Sequence, residues 1–136
     1  MTTKRTILLI EDETDIALLA QFTLESAGFK VFMANNGKDG LNLLEENAPI
    51  NLIILDIMMP GIDGYAVLKR LKSDPEKKEI PVLIFSAMVQ EKEVEKGYKL
   101  GADGYIKKPF DTNLMIDKVE RFLSNGQTTN EKNDPV

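Results

Sequence analysis

The sequence predicts an α/β domain in which a parallel β-sheet carries helices on both faces. Two observations predict it: short apolar runs are spread evenly along the chain, and stretches with helical spacing lie between them. Several runs are continuous rather than alternating, as is typical of strands that a parallel sheet buries on both sides. Five strand–helix units follow one another, which favours right-handed crossover connections.

The predicted strands are four apolar runs and a weaker fifth pair. In chain order they are Ile7–Ile10, Val31–Ala34, Leu52–Leu55, Val82–Phe85 and Tyr105–Ile106. Turn signals such as Ala27-Gly28, Asp63-Gly64 and Asp74-Pro75 fall between strands and helices. Each unit is close to the shortest length that allows a crossover, so a compact domain is expected.

Four further segments repeat apolar residues at steps of three and four positions, which is typical of helices. The apolar sets are Ile16, Leu19, Ala20, Leu24 and Ala27; Leu41, Leu44 and Ala48; Ala66, Val67, Leu68 and Leu71; and Met115, Val119, Phe122 and Leu123. The remaining segment, Glu91–Leu100, is dominated by charged residues and contains a glycine. A marginal and mobile helix is predicted there.

The composition limits what the chain can do. Its 136 residues are enough for one domain, and 43% hydrophobic with 29% charged residues is typical of a globular protein. A net charge of −5 disfavours direct binding to nucleic acid. Because the sequence contains neither cysteine nor histidine, thiolate and imidazole chemistry are excluded, and any bound metal has to be a hard cation held by oxygen.

The expected domain covers residues 5–123, because residues 124–136 lack an apolar face. We expect these last residues to form a disordered tail or the stub of a linker. No apolar run is long enough to span a membrane or to serve as a signal peptide. A cytoplasmic location without membrane contact is therefore expected.

Charged and hydroxyl side chains follow the predicted strands, at the edge of the sheet where ligands bind in open α/β folds. They are Glu11, Asp12 and Glu13 after the first strand, Asp56 after the third, Ser86 after the fourth, and Lys107 and Lys108 after the fifth. Taken singly, an acid in such a position is often a helix cap, and a lysine is often solvated. Met58, Met59 and Met88 are expected to fill gaps in the core.

Taken together, the charges of this edge suggest a phosphoryl-transfer site. Glu11, Asp12 and Asp56 carry −3, which a divalent cation and Lys108 would balance. A site balanced in this way can hold a phosphoryl group beside the metal, with catalysis by positioning and charge neutralisation. Asp56 would then be the nucleophile that forms an aspartyl phosphate.

Four segments of the chain match a known family. They are LLIEDE at 8–13, LIILDIMMPGIDG at 52–64, PVLIFSA at 81–87 and GADGYIKKPF at 101–110. Through them the chain resembles the receiver domain of two-component response regulators, over about residues 5–123. The resemblance implies a flavodoxin-like, doubly wound five-stranded parallel sheet in the order 2-1-3-4-5.

The resemblance also implies roles for the charged residues. Asp56 is expected to be the phosphoacceptor, and Lys108 the lysine that pairs with the phosphoryl group. Asp12 is expected to bind Mg²⁺ or Mn²⁺ directly, Glu11 to hold it through water, and the backbone carbonyl of Met58 to supply another ligand oxygen. The acid pair is Glu-Asp rather than the commoner Asp-Asp, which preserves the charge but alters the reach.

Ser86 and Tyr105 match the two switch residues of the family. The Ser86 hydroxyl is expected to turn toward a phosphoryl group, and the ring of Tyr105 to rotate into the space that this movement vacates. The surface of the fourth helix, fifth strand and fifth helix would then change. The resemblance further implies a cis peptide bond between Lys108 and Pro109.

Met58 and Met88 lie two positions beyond Asp56 and Ser86, where the family tunes the lifetime of the phosphoryl group. Two apolar side chains at these positions cannot orient an attacking water. Slow self-dephosphorylation is therefore the hypothesis.

The expected function is a phosphorylation-dependent signalling switch rather than an enzyme that acts on other molecules. Its expected partners are a sensor histidine kinase or histidine phosphotransfer protein, and a downstream protein or a missing C-terminal output domain. The chain would be a monomer, or a dimer through its fourth and fifth helices once phosphorylated. Because it has no histidine, it can pass a phosphoryl group onward only to another protein.

Rival functions fit the sequence less well. A haloacid-dehalogenase-type phosphatase needs a second Asp where this chain has Met58, and a flavin carrier needs Ser, Thr and Gly where it has Glu11–Glu13. A receiver-like module that is never phosphorylated and works by docking alone stays open.

Overall fold

The computed structural model describes residues 5–46, 49–59, 61 and 63–124. Strands and helices alternate strictly along this part of the chain. In order they are β1 (Thr6–Ile10), α1 (Thr14–Ser26), β2 (Lys30–Ala34), α2 (Gly37–Glu46), β3 (Leu52–Asp56), α3 (Gly64–Ser73), β4 (Val82–Ser86), α4 (Glu91–Lys99), β5 (Gly104–Lys107) and α5 (Thr112–Ser124).

The five strands form one parallel sheet in the order β2-β1-β3-β4-β5, which confirms the predicted fold. The register aligns the carboxyl ends of the strands. Asp56 at the end of β3 lies opposite Phe85 of β4, and Ser86 lies opposite Lys107 of β5. The polar residues that follow the strands therefore meet at one edge of the sheet.

Two hydrophobic cores cover the two faces of the sheet. Ile7 and Leu9 of β1 point into the core that contains α1 and α5, whereas Leu8 and Ile10 point into the core that contains α3 and Tyr98 of α4. All residues of β3 and β4 are buried. Burial on both sides is the physical reason why the apolar runs are continuous rather than alternating.

The predicted helices are present, with some differences in length. Helix α2 is described as far as Glu46, so the predicted contribution of Ala48 lies outside the described residues. The weak segment forms the nine-residue helix α4, whose Gly97 and Tyr98 are buried. Its predicted mobility stays a prediction. Residues 125–136, for which a disordered tail is expected, also lie outside the described part.

The prediction that Leu19 belongs to the core face of α1 is wrong. Ala17, Ala20 and Leu24 are buried, whereas Leu19 is 55% and Phe22 71% exposed. A helix turns by about 100° per residue, so Leu19 lies beside the buried stripe rather than on it. Within the described ranges, the helices are too short and too polar to cross a membrane.

Candidate functional site

Three carboxylates meet where β1 and β3 end side by side. Glu11 and Asp12 directly follow β1, and Asp56 is the last residue of β3. Each of the three offers a carboxylate oxygen, and these oxygens all lie within 4.8 Å of one another. The structure therefore brings together the acidic residues that the sequence predicts to share a site.

Glu11 is buried, and one of its carboxylate oxygens accepts a hydrogen bond while the other forms an ion pair. Oε2 accepts a hydrogen bond of 3.0 Å from the backbone N–H of Glu13, directly before α1. Oε1 lies 2.6 Å from the ammonium nitrogen of Lys108. The sequence does not reveal this direct Glu11–Lys108 ion pair, because it joins residues that follow strands separated by β3 and β4 in the sheet.

Asp56 is buried and only partly satisfied. Its Oδ1 accepts a hydrogen bond of 2.9 Å from the backbone N–H of Met58. Its Oδ2 lies 3.4 Å from the Lys108 ammonium but accepts no hydrogen bond from the described residues. Burial, reinforced by the neighbouring carboxylate of Glu11, raises the pKa of Asp56 from 3.8 to about 7.

The donor set fits a hard divalent cation. Three carboxylates and the Lys108 ammonium leave a net charge of −2 when all are ionised. Three buried oxygens accept no hydrogen bond from the described part of the chain, namely Oε1 of Glu11, Oδ1 of Asp12 and Oδ2 of Asp56. Carboxylate oxygens are the ligands that Mg²⁺ prefers. A cation here would satisfy both the charge and the free oxygens.

The start of α3 packs directly against the end of β3. The N–H of Gly64 donates to the carbonyl of Ile57 at 3.1 Å, and a Cβ on Gly64 would collide with the backbone oxygen of Asp56. Asp63 caps the helix, since its side chain accepts from the N–H of Ala66 at 2.9 Å. A side chain at position 64 would push α3 away from Asp56.

Ser86 and Tyr105 lie in neighbouring strands next to this site. Ser86 is buried at the end of β4, and its Oγ accepts from the N–H of Met88 at 2.9 Å. Tyr105 of β5 is 1% exposed, and its hydroxyl donates to the backbone oxygen of Glu93 in α4 at 2.9 Å. Burial raises the pKa of Tyr105 to about 12. The ring of Tyr105, which is expected to rotate inward, is already buried in this structure.

A contact between α3 and α4 was not foreseen from the sequence. The hydroxyl of Tyr65 donates to the side chain of Glu93 at 2.9 Å, and the Lys96 ammonium lies 4.3 Å from the Tyr65 ring centroid. Burial and the bond to Glu93 raise the pKa of Tyr65. The side chain of Glu93 thus accepts a hydrogen bond from Tyr65, and its backbone oxygen accepts one from Tyr105. These two bonds link α3, α4 and β5.

The methionines separate into two groups. Met59 is buried, as expected of a residue that fills a gap in the core. Met58 is 63% and Met88 40% exposed, so the prediction that they also fill gaps is wrong. They follow Asp56 and Ser86 by two residues, at a point where the chain has left the strand and reached the surface.

Lys108 lies against an aromatic pair that the sequence analysis does not predict. Its ammonium is 4.9 Å from the centroid of the Phe85 ring, and the Phe110 ring meets Phe85 edge-on at 5.7 Å. Lys107 is exposed. The Lys108–Pro109 bond is cis, as the resemblance implies. An aromatic directly before Ser86 and another directly after Pro109 are the sequence signals that could have found this pair.

A family model described as the response regulator receiver domain matches residues 7–120, which include every site residue discussed above. The chain belongs to this family. As a receiver domain of the two-component response regulator type, it is a regulatory signalling domain.

Curated relatives of this receiver domain are response regulators. It is 39% identical over 117 residues to the DNA-binding dual master transcriptional regulator RpaA of Synechocystis, covering 86% of this chain and 48% of that protein. It is 35% identical over 118 residues to the response regulator SaeR of Staphylococcus aureus, covering 87% and 50%. The chain thus spans about half the length of the curated relatives it matches.

Some solved structures with the same fold are matched over nearly their whole length. A putative response regulator from Chloroflexus aurantiacus superposes with a TM-score of 0.85 at 30% identity, over 90% of this chain and 100% of that one. The chemotaxis protein CheY4 of Vibrio cholerae superposes with a TM-score of 0.83 at 25% identity, over 88% and 98%. The structural match therefore extends over the whole receiver domain.

Proposed function

We propose that this receiver domain accepts a phosphoryl group on Asp56 in a cation-dependent reaction and works as a phosphorylation-dependent switch. The observation that supports this most is the joint placement of Glu11, Asp12 and Asp56 beside the Lys108 ammonium. Each residue has a distinct task in such a reaction, and all lie at one edge of the sheet.

The chemical step is a displacement at phosphorus. A carboxylate oxygen of Asp56 attacks, a new P–O bond forms, and the P–N bond of a phosphohistidine breaks with its electron pair going to the imidazole nitrogen. Because Oδ2 accepts no hydrogen bond from the described residues, a lone pair stays available. Lys108, 3.4 Å from that oxygen, offsets the negative charge of the phosphoryl oxygens.

Glu11, Asp12, Asp56 and the backbone carbonyl of Met58 would hold the cation, which is Mg²⁺ or Mn²⁺. When bound, such a cation neutralises charge on the transferring phosphoryl group. Glu11 has a second task, since its 2.6 Å contact keeps the Lys108 ammonium at the site. Burial of Asp56 excludes water from the reacting carboxylate.

The switch would involve Ser86 and Tyr105. Ser86 Oγ is the acceptor in its hydrogen bond with the N–H of Met88, so that bond does not use the hydroxyl proton. The hydroxyl can therefore rotate and donate this proton to a phosphoryl oxygen. That donation pulls on the segment between β4 and α4. Tyr105 would couple this movement to α4, because its hydroxyl donates a hydrogen bond to the backbone oxygen of Glu93. The surface of α4, β5 and α5 is then the output face, through which a phosphorylated dimer can form.

Partners follow from this role. The phosphoryl donor would be a sensor histidine kinase or a histidine phosphotransfer protein, and a phosphorelay would return the group to a histidine elsewhere. Relatives that match over half of their length are named transcriptional regulators. An output domain after α5, or a separate protein target, would receive the signal. Nucleic-acid binding by this receiver domain itself is disfavoured by its acidic charge.

The receiver domain would catalyse only its own phosphorylation and slow dephosphorylation. Met58 and Met88 would set the slow decay, because their exposed thioether side chains cannot align a water by strong hydrogen bonds.

The first experiment is intact mass after incubation with Mg²⁺ and acetyl phosphate. One added phosphoryl group is expected in the wild type, and none without Mg²⁺ or in Asp56→Asn. If the wild type gains no mass although Mg²⁺ binding is measured separately, and none from a histidine phosphodonor, the switch is refuted. A docking module that is never phosphorylated would then be the function.

A further inference from the structure

The Lys108 ammonium is held by three contacts rather than by one partner. Its nitrogen lies 2.6 Å from Glu11 Oε1 and 3.4 Å from Asp56 Oδ2. It also lies 4.9 Å from the centroid of the Phe85 ring, which is within the range of a cation–π interaction. The lysine side chain is only 12% exposed, so these three groups replace most of its hydration.

The two carboxylates compete for this ammonium. Lysine carries a compact charge on a flexible stem, so ion pairing alone would draw it toward the nearer Glu11. The Phe85 ring attracts the charge to its face without forming a hydrogen bond. It therefore restricts where the ammonium can lie while leaving its protons free. The ring can thus keep the charge within reach of Asp56.

Burial in β4 does not by itself require an aromatic side chain at position 85. The three residues before it, Val82, Leu83 and Ile84, are aliphatic and fully buried. The ring of Phe85 is braced by Phe110, whose ring meets it edge-on at 5.7 Å and an angle of 61°. The two residues that flank Pro109 thus both contact Phe85, one through its charge and one through its ring.

We propose that Phe85 is a positioning residue for phosphoryl transfer, and that its ring face holds the Lys108 ammonium between Glu11 and Asp56. The proposal rests on the proposed role of Asp56 as phosphoacceptor. Phe85 acts through Lys108, so its effect is expected on the rate of the chemical step at saturating phosphodonor. The apparent KM for the donor should change little.

Stepwise fluorination of the Phe85 ring tests this, because fluorine weakens the negative charge of the ring face while preserving its shape. The maximal rate of phosphorylation by acetyl phosphate is expected to fall with each added fluorine, by roughly two- to tenfold for the trifluorinated ring. The matched control is the same series at Phe122, a buried ring of the same core in α5. That series should leave the rate unchanged.

A second measurement reads the contact directly in the unphosphorylated protein. Ring currents of Phe85 should shift the ε-methylene protons of Lys108 upfield in NMR spectra, and Phe85→Leu should abolish this shift while the protein stays folded. An unchanged rate across the fluorinated series, or unchanged Lys108 signals in Phe85→Leu, would overturn the proposal. Failure of the proposed function is distinct, because the wild type itself would then gain no phosphoryl group; the positioning role would fall with it.

Discussion

The carboxylate residues at the edge of the sheet contain oxygens that accept hydrogen bonds and oxygens that do not. Glu11 and Asp56 each accept one backbone hydrogen bond, and each has a second, buried oxygen that faces the Lys108 ammonium without accepting a hydrogen bond from the described residues. Burial raises the pKa of Asp56 to about 7. Asp56 thus combines a longer contact with Lys108 than Glu11 has with a raised pKa, as expected of a group at a functional site.

Asp56→Asn is expected to stabilise the metal-free protein at alkaline pH. Because folding raises the pKa of the Asp56 carboxyl group, the folded protein loses stability as the pH rises from 3.8 to about 7. Above pH 7 the Asn variant should exceed the wild type in free energy of unfolding by roughly 1–3 kcal/mol, and below pH 4 by little. Urea unfolding in EDTA at pH 4 and pH 8 measures this. A gain of equal size at both pH values would contradict it.

Met58→Asn is expected to shorten the life of the phosphorylated form. Met58 is 63% exposed, so the substitution should not disturb the core, and the amide can hydrogen-bond a water. One such bond corresponds to a roughly two- to tenfold faster decay. Loss of mass over time after removal of the donor measures it, with Met58→Leu as the apolar control. Unchanged or slower decay in the Asn variant would show that this position does not limit hydrolysis.

Among the elements, α4 depends most on contacts with its neighbours. It is short and rich in charge, and Gly97 and Tyr98 are its buried residues. Tyr65 from α3 and Tyr105 from β5 both bond to its Glu93. A helix of nine residues is marginal alone, so these contacts decide its position. This makes α4 suited to move when the contacts of Tyr105 change.

Gly97→Ala is expected to destabilise the inward position of Tyr105. A Cβ at position 97 would collide with the Tyr105 hydroxyl and with Ile84. Overpacking costs about 1–3 kcal/mol, which exceeds the gain of at most about 1 kcal/mol in helix propensity. Thermal unfolding and nitration of Tyr105 measure the effect, with the exposed Lys99→Ala as control. A more stable protein with Tyr105 still protected would contradict this.

At the scale of the whole molecule, an ion pair ties the amino ends of β4 and β5 to α3. The Lys72 ammonium donates to Asp103 and to the backbone oxygens of Lys78 and Ile80, at 3.0 to 3.1 Å. The same Asp103 oxygen accepts from the N–H of Val82 at 2.9 Å. Both side chains are largely buried. This network lies at the opposite end of the sheet from Asp56.

Asp103→Ala is expected to lower the free energy of unfolding by about 2–4 kcal/mol, because it removes the negative charge that pairs with the largely buried Lys72 ammonium and leaves the Val82 N–H without its acceptor. Asp103→Asn keeps an acceptor oxygen and should lose less. Urea unfolding measures both. Since the site lies at the other end of the strands, phosphorylation of the folded variants should be unchanged. Equal stability of Asp103→Ala and the wild type would show that the network contributes nothing.

Much of the fold could be predicted from the sequence because strands and helices leave local patterns. The four strong apolar runs became β1 to β4, and the weak pair Tyr105–Ile106 became β5. The exposure of Leu19 cannot be predicted in this way, because a helical repeat does not by itself say which of two adjacent stripes faces the sheet. The exposure of Met58 and Met88 cannot either, because the pattern does not say where the chain leaves the core.

The alternation of elements, the chemistry available without cysteine or histidine, and the set of polar residues that follow the strands can all be predicted from the amino-acid sequence. These depend on residue type and spacing along the chain. The ion pair between Lys108 and Glu11, the contact of Phe85 with the Lys108 ammonium and the hydrogen bond from Tyr65 to Glu93 become visible only in the folded structure. Such contacts join elements distant in sequence, and they depend on strand register and helix rotation, which local patterns do not encode.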